Sequence, residues 1–221
     1  MILKKLALTP ERERNIQWED QFLTALAEGK VAVMSPDPIE GPDGWPYLVV
    51  TTEINDSDHN ISEPTQKVIQ WLSTRGIGLA VNPQKEAPDF ILSYGMLWFF
   101  CSTGKFIQRH KATLSDTFIK EKVEYKASQL SHAGTPTEEY LPSHVRNILR
   151  DFFRDQNIFD ARLLLLSKDK IKYDLAFSVE SLGNPKESEW EGIGEAISWF
   201  LPLHYPIVII SEKGLPPFTN L

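Results

Sequence analysis

The sequence predicts an α+β (α/β) protein of two small domains, each ordered helix, strand, strand, helix, strand, with a short mixed sheet covered by helices on at least one face. Three observations carry this expectation. Apolar residues recur at helical spacing in separate stretches, and runs rich in β-branched and aromatic residues lie between them. The same order of elements then appears twice, although the residues themselves do not repeat.

In the first half, Trp18, Phe22, Ala25 and Leu26 share one face of a helix over 11–28, and Gly29 is its stop. Residues 31–36 (VAVMSP) make a short strand ended by proline. A loop dense in Pro and Gly, PDPIEGPDG, leads to a second strand at 45–53, WPYLVVTTE. NDSDHN is turn-like, and Ser62 is the candidate cap of a helix that carries Val68, Trp71 and Leu72 and stops at Gly76. GIGLAVNP, 76–83, is a buried strand. In FILSYGMLWFFC, 90–101, Phe90, Tyr94 and Trp98 are spaced for a helix, but Gly95 and the run Trp98-Phe99-Phe100 fit a turn and then a central strand apolar on both faces. That strand is the expectation, and the stretch is read as core, with Cys101 a buried, inert thiol.

The second half has the strongest amphipathic signal. Val145, Ile148, Leu149, Phe152 and Phe153 mark a helix over 143–156 capped by Ser143. ARLLLLSK, 161–168, is a strand, and Asp169-Lys170 turns into 171–180. There Ile171, Tyr173, Leu175, Phe177 and Val179 alternate as in a half-buried strand. Asn184-Pro185 opens a helix with Trp190, Ile193, Ile197 and Phe200 on one face, Pro202 closes it, and HYPIVIIS, 204–211, is the last strand. The expected domains are 1–101 and 141–221. A charged insertion or linker, 102–140, separates them; SHAGTPTEE is its most linker-like part, and FIQRHKATL and DTFIKEKVEYKA are each a strand or a short helix.

A length of 221 residues suits one large or two small domains, and a 42% hydrophobic content belongs to a folded chain. A formal charge of -7 opposes nucleic acid and anionic lipid, and no basic run is large enough to overcome it. The apolar stretch near the beginning is broken by Thr9 and Pro10, too short for a secretion signal. A membrane-spanning helix takes about 20 apolar residues, which no run approaches. The expectation is a cytoplasmic protein with no nucleic-acid or membrane partner.

Two stretches carry a resemblance. The strand from Gly44-Trp45-Pro46 to Thr51-Thr52-Glu53, then a helix, then GIGLAVNP closing on Asn82-Pro83, resembles the amino-terminal domain of the enhanced serine sensitivity (SseB-like) family. LPSHVRNILRDFFRDQNIFDARLLLLSKDKIKYDLAFSVE, 141–180, is similar to the start of that family's carboxy-terminal domain. The resemblance spans most of the chain except the middle segment, rests on apolar patterns, and implies no catalytic residues. FILSYGMLWFFC and the charged insertion depart from the family pattern.

Chemical signatures are sparse. Gly104-Lys105 lacks the glycine spacing of a phosphate loop, and Gly76-Ile77-Gly78 enters a strand instead of leaving one. The five histidines share no ligand spacing, so neither a metal nor another cofactor is expected. Asp56, Asp58 and His59 read as a solvated turn, and Glu138-Glu139 as linker carboxylates with nothing to tune them.

Two features point outward. Arg146, Arg150 and Arg154, at i, i+4 and i+8, form either a row that grips carboxylates or a solvated edge balanced by Asp151 and Asp155. Trp199 falls on a charged face as an interface anchor, or folds inward before Pro202. GLPPFTNL, with Phe218, is an extended peptide for docking on a partner or on the chain's own body. The expected function is non-enzymatic: binding a protein partner, or self-association into a homo-oligomer. The alternatives are a small-molecule sensor for an amino acid or its metabolite, with its pocket in the cleft between the halves, and a hydrolase using His59 or His110.

Overall fold

The computed structural model describes residues 2–54, 62–85, 87–107 and 125–221. Asp56, Asp58, His59, His110 and the stretches 108–114 and 116–124 lie outside the described residues. The chain is an α+β protein and divides into two compact units, Met1–Gln108 and Arg109–Leu221.

In the first unit, α1 (Ile2–Ala7) and α2 (Ile16–Glu28) precede β1 (Lys30–Val33), β2 (Ile39–Glu40), β3 (Pro46–Thr51) and β4 (Ser62–Pro64). Then come α3 (Thr65–Leu72), β5 (Gly78–Val81), β6 (Phe90–Leu92) and α4 (Tyr94–Thr103). The sheet order is β4-β1-β3-β5-β6, with β2 hydrogen-bonded to β3. β1 and β3 are antiparallel, while β3 and β5 are parallel and joined through α3. Val31, Leu48, Val50, Leu79, Val81 and Leu92 form one core with α2 residues Phe22 and Leu26 and α3 residues Val68, Ile69 and Leu72.

In the second unit, β7 (His132–Gly134), α5 (Ser143–Asp155), β8 (Arg162–Ser167), β9 (Asp174–Ser178), α6 (Trp190–Ser198), β10 (Ile207–Ile210) and β11 (Thr219–Asn220) follow in order. The sheet runs β10-β9-β8-β11, and β7 also pairs with β8. β8 and β9 are antiparallel; β9 and β10 are parallel and joined through α6. The pairing of β8, β9 and β10 therefore repeats that of β1, β3 and β5, a duplication visible in the sequence only as an order of elements.

The outer edge of β8 is shared. β7 pairs with residues 165–167, and β11 pairs with Leu163 and Arg162. Residues 132–134, read as linker, are thus a strand of the second sheet. That sheet is closed on both faces. Phe153 of α5 packs at 5.9 Å on Phe177 of β9 on one side. Leu164, Leu166, Ala176 and Val208 are covered on the other by Phe218, Leu215, Tyr125 and Leu130.

Several local expectations are corrected by these contacts. FILSYGMLWFFC is not a turn and central strand: β6 is an edge strand and the rest is α4, capped by the Ser93 hydroxyl on the Met96 amide at 3.3 Å and ended by Gly104 at φ 73°. An apolar run has no polar face to reveal its period, so its sequence does not separate helix from strand. Leu92, Tyr94, Leu97, Trp98, Phe99 and Phe100 are buried. Cys101, expected inside, is exposed, and partial desolvation raises its thiol pKa against a hydrogen bond from Ser73. Ser62 lies in β4, paired with Ala32, instead of capping α3. β9 starts at Asp174 and is buried on both faces; Ile171 is 80% exposed in the preceding turn. At α5 the Glu138 carboxylate accepts from the Ser143 amide at 2.6 Å and its hydroxyl at 2.8 Å, which lowers the Glu138 pKa, so that residue does have a partner.

Tyrosines gather near the start of β9 and β10. Tyr125 donates to Asp174 at 2.5 Å, Tyr205 donates to the Tyr140 carbonyl at 2.7 Å, and the Tyr140 and Tyr205 rings stack at 4.4 Å. Burial pushes the Tyr205 phenol up to about 12 and raises those of Tyr125 and Tyr140. A phenol with an ordinary pKa of about 10 ionises in the unfolded chain first, so the folded state holds the extra protons between these values. The stability Tyr205 contributes is complete below about pH 10 and is lost as pH rises toward about 12. Urea midpoints across that window are expected to fall, with phenolate absorbance lagging behind free tyrosine.

Candidate interaction site

In parallel sheets, polar groups collect at the carboxyl ends of the strands, the usual place for ligands. At the first unit's edge, Asn82 is fully buried with φ 54°, a left-handed conformation that Asn tolerates. Its Oδ1 accepts from the Thr52 amide at 2.7 Å, and its Nδ2 donates to Asp89 at 2.5 Å. The Asp89 carboxylate, wholly enclosed, meets Lys85 at 2.6 Å. Arg14 approaches its other oxygen at 2.7 Å, as an ion contact and not an aligned hydrogen bond. Lys85 also donates to the Ala7 carbonyl at 2.6 Å, and Arg14 to the Thr9 carbonyl at 3.0 Å. One carboxylate thus fixes the chain between α1 and α2 to the loop after β5. The cluster is a latch.

At the second unit's edge, buried Ser178 donates to Glu212, whose carboxylate is held by Arg162 at 2.9 and 3.0 Å. Burial works to raise the Glu180 carboxyl, but hydrogen bonds from Ser211, the Glu212 amide and Ser178 outweigh it and hold it below the usual carboxylate range. Ser178 is enclosed and engaged, the opposite of an exposed nucleophile. Among the described residues no group of three or more His, Cys, Asp or Glu side chains is placed to hold a metal ion, and no helix is long and apolar enough to cross a membrane.

The arginine row on α5 is real but divided in use. Arg146 is half-buried and donates to the Leu141 carbonyl at 2.9 Å and the Pro136 carbonyl at 2.7 Å, so it ties down the loop before α5 and does not face an outside carboxylate. Arg150 donates to the Leu221 backbone oxygen and the Asn147 side chain, both at 2.5 Å. Arg154 stays outward, paired with Asp151 at 2.7 Å with 60% and 69% of the two side chains exposed. Such a pair contributes only about 0.2–1 kcal/mol and yields to a better partner.

Phe218 is corrected from contact residue to core. It is 9% exposed, its segment adds β11 to β8, and Leu221 is buried with its amide on the Ala161 carbonyl at 3.0 Å. GLPPFTNL is docked on the chain's own body. Trp199 is half-buried and packs edge-on against Phe200 at 4.9 Å.

Arg150, Arg154 and Leu221 meet at a pocket of about 190 Å³, completed by Phe153, Ile158, Phe159, Asp160, Ala161 and Asn220. Its rim holds Phe159, 72% exposed, beside two guanidiniums and one carboxylate. Guanidiniums beside the apolar side chains Phe153, Ile158 and Phe159 suit a carboxylate carried on an apolar group that takes the place of Asp151 on Arg154. Sequence reasoning found the arginines but missed Phe159, because a single aromatic in a loop has no periodicity to set its exposure. It also missed the Arg14–Lys85–Asp89 latch, whose one visible trace is Asn82-Pro83.

Replacing Asp89 with alanine leaves Arg14 and Lys85 facing an uncompensated cavity. We expect a loss of about 3 kcal/mol, read as a lower urea midpoint, with Asp89→Asn losing less because Asn keeps the bond to Asn82. No family model matches the chain, and neither a curated protein nor a solved structure matches it.

Proposed function

We propose that this protein is a non-enzymatic binding protein that engages a protein partner, or another copy of itself, through the pocket at the carboxyl end of α5. The observation that carries this reading is Phe159, a large aromatic left 72% exposed at the rim of a pocket that also holds Arg154. Exposed aromatic and arginine side chains side by side are what interfaces use as anchors. The polar groups at both strand edges, by contrast, are committed to holding loops. The repeated pairing of β1-β3-β5 and β8-β9-β10 agrees with the order of elements repeated in the two halves of the sequence, and no catalytic residue is part of this reading.

The fitting partner segment presents an acidic group next to an apolar side chain. It would displace Asp151 from Arg154 and cover Phe159. Phe159→Glu and Arg154→Glu reverse each feature separately, and each is expected to weaken association by about tenfold or more. Sedimentation of the purified chain and capture from its own cell extract provide the readout, with circular dichroism confirming the fold. Unchanged association in both variants removes this surface from the proposal.

A small carboxylate ligand is the second reading, favoured by the pocket's volume of about 190 Å³. It predicts a rise in melting temperature with an amino acid or related acid at millimolar concentration, abolished by Arg154→Glu. A flat response across such a panel leaves the protein partner as the occupant.

A further inference from the structure

The segment 213–221 is held by contacts that a second copy of the chain would reproduce without change. We infer that this segment exchanges between two copies, each placing its Phe218, its β11 strand and Leu221 on the outer edge of the other's β8. The inference rests on the reading of this chain as a self-associating protein and adds a route of self-association separate from the Phe159 pocket.

The docked contacts are compact and self-contained. Thr219 and Asn220 pair with Leu163 and Arg162, and the Thr219 hydroxyl donates to the Leu163 carbonyl at 3.2 Å. Phe218 sits in the apolar cluster of Leu164, Leu166, Ala176 and Val208, and Arg150 holds the Leu221 oxygen. β7 occupies the β8 edge opposite residues 165–167. What remains is a slot one short strand long, closed at one end by β7 and at the other by Arg150. A strand that fills an edge slot supplies its own recognition, through backbone pairing and side-chain anchors.

The hinge is equally well defined. Glu212 is fixed by Arg162 and its amide by Glu180, so the chain is anchored to that point. Beyond it, one turn closed by the Leu215 amide on the Glu212 carbonyl at 3.1 Å, with Gly214 at φ 76°, leads to Pro216 and Pro217. Opening that turn breaks one backbone hydrogen bond. The two prolines then keep the released segment extended and donate nothing to a competing ladder. Each copy gives a segment and receives one, so the exchange closes on a two-fold axis and every buried contact is regained. Docking within one chain prevails when dilute, because the tether keeps the local concentration high. The exchanged dimer therefore builds with protein concentration.

The test places the two halves of one contact on different chains. With Cys101→Ser in both, one copy carries Arg162→Cys and the other Asn220→Cys, positions that face each other across β8 and β11. After mixing at high concentration and mild oxidation, the expected product is a covalent dimer of one copy of each. Adding Phe218→Ala to the second copy is expected to cut its yield at least tenfold. If the single chain carrying both cysteines closes its own disulfide while the mixture stays monomeric, the exchange is wrong. Native mass spectrometry of mixed light and isotopically heavy unmodified chains is the independent measurement: hybrid dimers support exchange, and monomers alone overturn it. A dimer that survives Phe218→Ala but is lost in Phe159→Glu also overturns exchange, while leaving the pocket as the binding surface.

Discussion

Each unit depends on one parallel strand pair, β3 with β5 and β9 with β10. A parallel neighbour cannot be reached by a tight turn, so a helix must cross over the sheet, and α3 and α6 do so. Parallel pairs also need both faces covered. In the second unit α5 and α6 supply one cover, and Tyr125, Leu130, Leu215 and Phe218 supply the other. The segments before β7 and after β10 are therefore parts of the core, although the first reads as polar linker and the second as an extended peptide able to dock on a partner or on the chain's own body. The burial of all five β9 residues follows from the same requirement.

The parallel pair also sets the polar architecture. Its strands end side by side, so their following loops must be fixed at one edge. The first unit does this with a buried carboxylate between two cations, and the second with Glu212 held by Ser178 and Arg162 while Glu180 accepts from Ser211 and the Glu212 amide. Both edges solve the same mechanical problem with different residues, which is why the duplicated fold leaves no repeat in the letters. These groups are engaged in loop closure, and the exposed Phe159 lies apart from them, just after α5. There Arg154 sits in the last turn of the helix, Phe159 follows it, and Asn220 and Leu221 line the same pocket.

Much of this was legible in the residues. The face of Val145, Leu149 and Phe153 and the apolar runs at β3, β5, β8 and β10 appeared where their spacing placed them, since periodic burial leaves a periodic sequence. The row of Arg146, Arg150 and Arg154 was likewise visible at its true spacing. Its division of labour was not, because Pro136, Leu141 and Leu221 reach those guanidiniums from other parts of the chain. Phe218 and Phe159 show the same limit from opposite sides: both are loop aromatics, one covered by a sheet face and the other left in solvent.

The sequence by itself determined the class of fold, the order of elements in each half and the faces that helices turn inward, because these follow from local propensity and from the spacing of apolar side chains along one segment. Only the tertiary structure decided that α4 is a helix, that 132–134 and 219–220 are strands on β8, that Asp89 is a latch, and how the three arginines divide their partners. Those outcomes depend on which distant groups come to lie within hydrogen-bonding distance, and that proximity is a property of the closed chain, not of any stretch within it.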